Sequence, residues 1–203
     1  MSFDNLSAPA EEFFEKGLAA FKKKNYGYAI ALFTEVLNVH PDFFPAEQHL
    51  WLALREKRKI SSFSLLTFIS EKIKIFFLTI KVFLYLASNR SDSAIVLQKK
   101  IVLLNPDNIS SLSRLATFLI RQKHIDQAKI ILEQILLIDK TNTFALRQLA
   151  ILYFAENNFP KAKLLAKVLL EINPHDLPAE KIIKDIDALG AIAEGFDNIK
   201  PSN

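Results

Sequence analysis

The sequence predicts an all-α protein built from repeated helix pairs, and three observations carry that prediction. Half of the 203 residues are hydrophobic and 24% are charged, a composition suited to packed amphipathic helices. Four glycines and eight prolines are too few for the tight turns of a sandwich or barrel, or for a glycine-rich phosphate loop. Ala94, Ala128 and Ala162 recur at one constant interval inside the similar strings SDSAIVLQKKIVLLNPDN, IDQAKIILEQILLIDKTN and FPKAKLLAKVLLEINPHD, and a fixed period of this length marks stacked supersecondary units.

The elements follow in order. Residues 1–9 read as an N-terminal tail without the basic and apolar regions of a secretory signal, and the absence of cysteine fits a reducing compartment; a cytoplasmic protein is expected. Residues 10–43 form the first unit, with Ala29 in the repeated slot and Pro41 following it as Pro106 follows Ala94 and Pro174 follows Ala162. Lys140 replaces that proline once. Ala29 precedes Ala94 by slightly less than two periods, so 44–74 is a degenerate repeat or an irregular helical insert. Residues 75–108 are a degenerate repeat, with Val82 where a small residue is expected. In 109–142 the stripe Leu112, Leu115, Ala116, Leu119 precedes a polar turn at Gln122 to His124 and a second stripe of Ala128, Leu132 and Ile135. Residues 143–176 repeat this with Leu146, Leu149, Ala150 and Tyr153, a turn at Asn157 and Asn158, and Pro160 where a helix can begin without its N–H. An alanine at the crossing of two helices lets their backbones approach closely. An amphipathic helix at 177–189 caps the series, and 190–203 is a C-terminal tail.

Residues 63–87, FSLLTFISEKIKIFFLTIKVFLYLA, are the most apolar stretch. Glu71, Lys72, Lys74 and Lys81 interrupt it, and a charge near a bilayer centre costs about 2.5 to 3.5 kcal/mol, so a membrane span is not expected. Burial between repeats on both sides is the leading expectation; an interfacial anchor for a peripheral membrane protein is the alternative.

No catalytic chemistry emerges. His40, His49, His124 and His175 are not spaced as metal ligands, and no nucleophile motif, phosphate loop or dinucleotide fingerprint is present. Neither an enzyme nor a cofactor nor a metal is expected. The basic runs Lys22 to Lys24 and Arg55 to Lys59 fall at expected helix C-termini, where cations favour the dipole, and no exposed aromatics interleave them as in single-strand binders; nucleic acid is not an expected partner.

A repeated helix pair of this period, about 34 residues, with a small residue at position 8 (Gly17, Ala116, Ala150), alanine at position 20 (Ala29, Ala94, Ala128, Ala162) and proline at position 32, resembles the tetratricopeptide repeat. The resemblance implies a right-handed α-solenoid that binds a protein or peptide on a concave wall formed by the first helix of each unit, at positions 2, 5, 9, 12 and 13. Those positions hold Phe14, Leu18 and Phe21 in the first unit, Phe83 in the second recognisable one, Arg121 in the third, and Arg147, Ile151 and Phe154 in the fourth. Relatives that clamp the acidic tails of chaperones use lysine, asparagine and arginine there; Phe14, Leu18 and Ile80 occupy such slots here. The implied function is a non-enzymatic interaction or assembly scaffold with an apolar groove, in which the arginines orient the partner, unless 44–74 folds back to fill it.

Overall fold

The computed structural model of the chain describes residues 6–60 and 65–197, and the side chains of all of these except 65–68 and 192–197. Among the described residues every regular element is an α-helix. The chain divides into two compact units, Met1–Ser111 and Leu112–Asn203. The first contains α1 (Ala8–Lys22), α2 (Tyr26–Val39), α3 (Phe44–Ile60), α4 (Leu65–Ala87) and α5 (Ser91–Leu104). The boundary falls inside α6 (Ile109–Arg121), and the second unit continues with α7 (Ile125–Ile138), α8 (Thr143–Ala155), α9 (Phe159–Ile172) and α10 (Leu177–Asp197).

The period is written into the backbone at both ends of the helices. Lys24, Asn89, Lys123 and Asn157 each take a left-handed conformation, with φ of 58–63°. At all four the same closure recurs: for α6, Lys123 N–H donates to Ile120 C=O at 3.0 Å and His124 N–H to Leu119 C=O at 2.9 Å. This pair of bonds satisfies carbonyls that the helix end would otherwise leave open, and it turns the chain into the next helix. Helix starts repeat as well, since Asn108, Asn142 and Asp176, each one period after the last, accept through their side chains from the N–H groups of Ser111, Ala145 and Ala179. Pro41, Pro106 and Pro174 stand just after the ends of α2, α5 and α9, in keeping with the helix-ending effect of an X-Pro step.

Between the helices of a pair, the small residues sit at the crossing. Ala29, Ala94, Ala128 and Ala162 are wholly buried, as are Ala116 and Ala150. In the first unit a core of Phe14, Ala20, Ala29, Phe33, Val36, Ala46, Leu50 and Ala53 joins α1, α2 and α3. In the second, Leu146, Ala150, Ala162, Ala166, Leu169, Ala179 and Ile182 join α8, α9 and α10.

The period breaks after α3. The segment 44–74 contains α3 and the opening turns of α4, which runs on through the boundary expected at residue 74 as one helix of 23 residues. Polar ties hold this region together: Lys99 bonds Glu47 at 2.7 Å, Arg55 pairs with Asp107 at 2.7 Å, and Arg58 donates to the Leu104 carbonyl at 2.5 Å and to Glu71 at 2.6 Å. Burial raises the pKa of the Glu47 carboxyl despite the nearby Lys99. Glu71 is the half-buried partner of Arg58. The expectation of burial on both sides is corrected here. Residues 69–86 of α4 are not covered on both sides, since most of their large apolar side chains are exposed; residues 63 and 64 lie outside the described residues. Among the described residues no helix is long and apolar enough to cross a membrane. At the C-terminal end α10 continues to Asp197, past the boundary expected at 189.

Two predictions test this packing. A Cβ on Gly17 would stand 2.6 Å from Cε1 of Phe33, a ring that is fully buried, so Gly17→Ala should destabilise the fold. Overpacking costs about 1 to 3 kcal/mol, more than the roughly 1 kcal/mol alanine gains in helix propensity; thermal melts should show the loss, and Phe33→Leu should relieve it in a double-mutant cycle. Conversely, Lys123→Gly should stabilise by up to about 1 kcal/mol by removing a side chain from a left-handed site. Asn157→Gly should gain less, because asparagine tolerates that conformation.

Candidate functional site

The residues expected on a binding wall separate into different environments. On α1, Phe14 is only 2% exposed, and its ring meets Phe33, Phe43 and His49 at centroid distances of 5.8, 5.2 and 5.5 Å. It is therefore a core residue, which corrects its expected place on the wall: α2, α3 and the chain leading into α3 seal the ring. Leu18 and Phe21 are half-buried against the same cluster, and Phe21 packs edge-on to Tyr26.

On α4, Phe83 is 71% exposed. The sequence reading placed Phe76 and Phe83 on the wall and Ile80 at a clamp-type slot; Phe77 and Leu84, which it did not name, share their exposed side. The signal that could have found them is the apolarity of 69–86 all the way round the helix, which one neighbouring helix cannot cover. Arg121 is exposed in the last turn of α6, where its charge favours the helix dipole.

On α8 the positions separate by face. Leu146, Leu149 and Ala150 are buried towards the core, whereas Phe144, Arg147, Ile151 and Phe154, spaced three and four apart, lie along the opposite side. Ile151 is exposed; Phe154 is half-buried, with its ring 5.7 Å from that of Phe159. Arg147 does not offer its charge to a partner. Its Nε and Nη2 donate to Asp176 Oδ2 at 2.9 and 2.5 Å, while Asp176 Oδ1 accepts from Ala179 N–H at 3.2 Å, at the start of α10. The Arg147 hydrogen bond, foremost, holds the Asp176 carboxyl below its ordinary pKa. The expected orienting role of Arg147 is thus replaced by a bridge between α8 and α10. Sequence reasoning missed Asp176, although its place one period after Asn142, itself a helix cap, was a usable signal.

Much of the second basic run has local partners too. Arg55, Arg58 and Lys59 pair with Asp107, Glu71 and Glu56. Among the described residues no cluster of three or more histidine or acidic side chains could hold a metal ion.

A family model for the tetratricopeptide repeat matches residues 85–146, and no curated protein matches the chain in sequence. The first tetratricopeptide domain of Spaghetti (RPAP3), solved bound to the HSP90 peptide SRMEEVD, is 22% identical with a TM-score of 0.51, over 58% of this chain and 94% of that one. The second such domain of human RPAP3, solved with the HSP70 peptide SGPTIEEVD, is 13% identical with a TM-score of 0.50, over 58% and 98%. The Sgt2 domain of Aspergillus fumigatus is 17% identical with a TM-score of 0.50, over 64% and 86%. At these identities the likeness shows the fold, which is the all-α helix-pair fold of tetratricopeptide domains.

Asp176→Ala removes a helix cap and strips Arg147 of its partner, and should destabilise the protein by about 2 kcal/mol. Because the folded-state pKa of Asp176 is lowered, its contribution is present above the ordinary aspartate range and is lost as pH falls through the lowered value. Melting curves of wild type and variant should therefore draw together in acid; a gap that stays constant would show that the carboxylate charge does not hold α10.

Proposed function

We propose that this tetratricopeptide repeat chain is a non-enzymatic scaffold that captures a helix or extended peptide of a partner protein on the free side of α8. The observation that carries the reading is the division of that helix. Leu146, Leu149 and Ala150 form the buried face, so the exposed Ile151 on the other side is not needed for helix pairing, while Phe154 beside it packs partly against the core and Phe159 and leaves the rest of its ring open. Apolar anchors on a rigid helix lose little freedom on binding, which is what makes such residues effective contacts. The bridge from Arg147 to Asp176 fixes α8 against α10 and so holds the strip in place.

The fold likeness to domains solved with chaperone peptides supports peptide capture, but the residues of this chain favour different chemistry. The peptides SRMEEVD and SGPTIEEVD end in acids, whereas here Phe14 and Leu18 stand at positions where an acid-binding array would carry cations, and Arg147 is already paired. A peptide with apolar side chains at helical or alternate spacing fits α8 better.

A peptide selected against the purified full chain from a random display library should lose about thirtyfold in affinity on Ile151→Asp, the equivalent of roughly 2 kcal/mol at a central anchor. The melting temperature should stay near that of wild type, since Ile151 lies outside the core. Unchanged affinity across the selected peptides would move the site off α8.

A further inference from the structure

The helix α4 presents two unlike faces. It lies against α5, and Val82 is its buried residue, with Glu71, Ile75, Leu78 and Tyr85 half-buried around it. At about 100° per residue, the side turned away from this face carries Ile73, Phe76, Phe77, Ile80, Phe83 and Leu84, and these are 42–71% exposed. The stripe is about 120° wide and, from Ile73 to Leu84, about 17 Å long. Every charged residue along its two borders is basic: Lys72 stands on one side and Lys74 and Lys81 on the other, all exposed. The single acid of α4, Glu71, is turned to Arg58.

We infer that this outward face of α4 docks on an anionic lipid bilayer, lying in the plane of its surface. A helix with a broad phenylalanine, isoleucine and leucine face and lysines on both borders matches such a surface, since the apolar side chains enter the acyl boundary while the ammonium groups reach back to the headgroups. Charge decides against the other occupants. A second copy of the chain packed α4 on α4 would bring lysine borders against lysine borders, and a helical seam between two copies would be a narrower stripe. A protein helix would need acids on both of its own flanks in one register, whereas a bilayer supplies negative charge on both sides of α4 without register. The inference stands apart from the reading of α8, because the two faces share no residue.

Cosedimentation of the full-length protein with vesicles tests it. Binding to phosphatidylcholine vesicles containing phosphatidylserine should exceed binding to phosphatidylcholine alone by at least about tenfold and weaken as salt is raised. Phe76→Ser with Phe83→Ser, and separately Lys74→Glu with Lys81→Glu, should each remove most of that binding while the helical spectrum and melting curve stay intact. Should the double serine variant misfold, Phe83→Ser alone is read in its place, as that ring is the most exposed of the stripe. Failure of the wild type to bind anionic vesicles, equal binding to neutral ones, or unchanged binding by the folded variants would overturn the inference. So would a dimer in sedimentation equilibrium, or a protein captured through this face, that the serine variants abolish in the absence of vesicle binding.

Discussion

The close crossing of paired helices is the constraint on which the rest depends. Two helices joined by a short turn can bury their apolar stripes against each other only if a small residue stands where their axes meet. Ala29, Ala94, Ala128 and Ala162 meet that requirement with no exposed surface at all, and Gly17 meets it where the ring of Phe33 leaves no room for a single methyl group. The left-handed turns and side-chain caps serve the same end, for they fix where each helix stops and the next begins, and so set which residues arrive at the crossing.

Where the period is lost, the energetics change character. From α3 to α5 apolar burial is supplemented by polar pairs, Lys99 with Glu47, Arg55 with Asp107, and Arg58 with both Glu71 and the Leu104 carbonyl. Such pairs specify geometry more than they add stability, since desolvation offsets much of their attraction; the raised pKa of Glu47, caused first by burial, is the sign of that opposition. The long α4 follows from the same break. It is turned back on α5 as the other first helices are on theirs, but its apolar side chains lie on both faces, so one side meets α5 and the other is left exposed.

Charge and apolar surface are accordingly distributed otherwise than the linear pattern suggests. Of the two arginines that a linear reading assigns to a ligand, Arg147 is engaged within the fold by Asp176, whereas Arg121 is exposed at the end of α6. The two proposed binding faces rest instead on apolar side chains, one around the exposed Ile151 on α8 and the other the stripe on α4, which is bordered by lysines. One suits a peptide held by shape and hydrophobic burial; the other suits a surface of opposite charge.

The amino-acid sequence by itself determined the all-α class, the helix pairs of the regular units and their repeat length, because these follow from local rules: apolar spacing at the helical period, small residues at fixed intervals, and prolines after helix ends. Those rules act within one repeat unit and can be read from it. Which apolar residues are covered was decided only by the tertiary structure. Phe14 and Phe83 occupy equivalent kinds of position in their units, yet α2 and α3 enclose the first while nothing in the described chain covers most of the second. The same holds for Arg147, whose partner Asp176 is distant in sequence and meets it only because α10 begins beside α8. Periodicity places a side chain on a face of its helix, but exposure and charge pairing depend on what other elements bring to that face, and a local pattern contains no record of that.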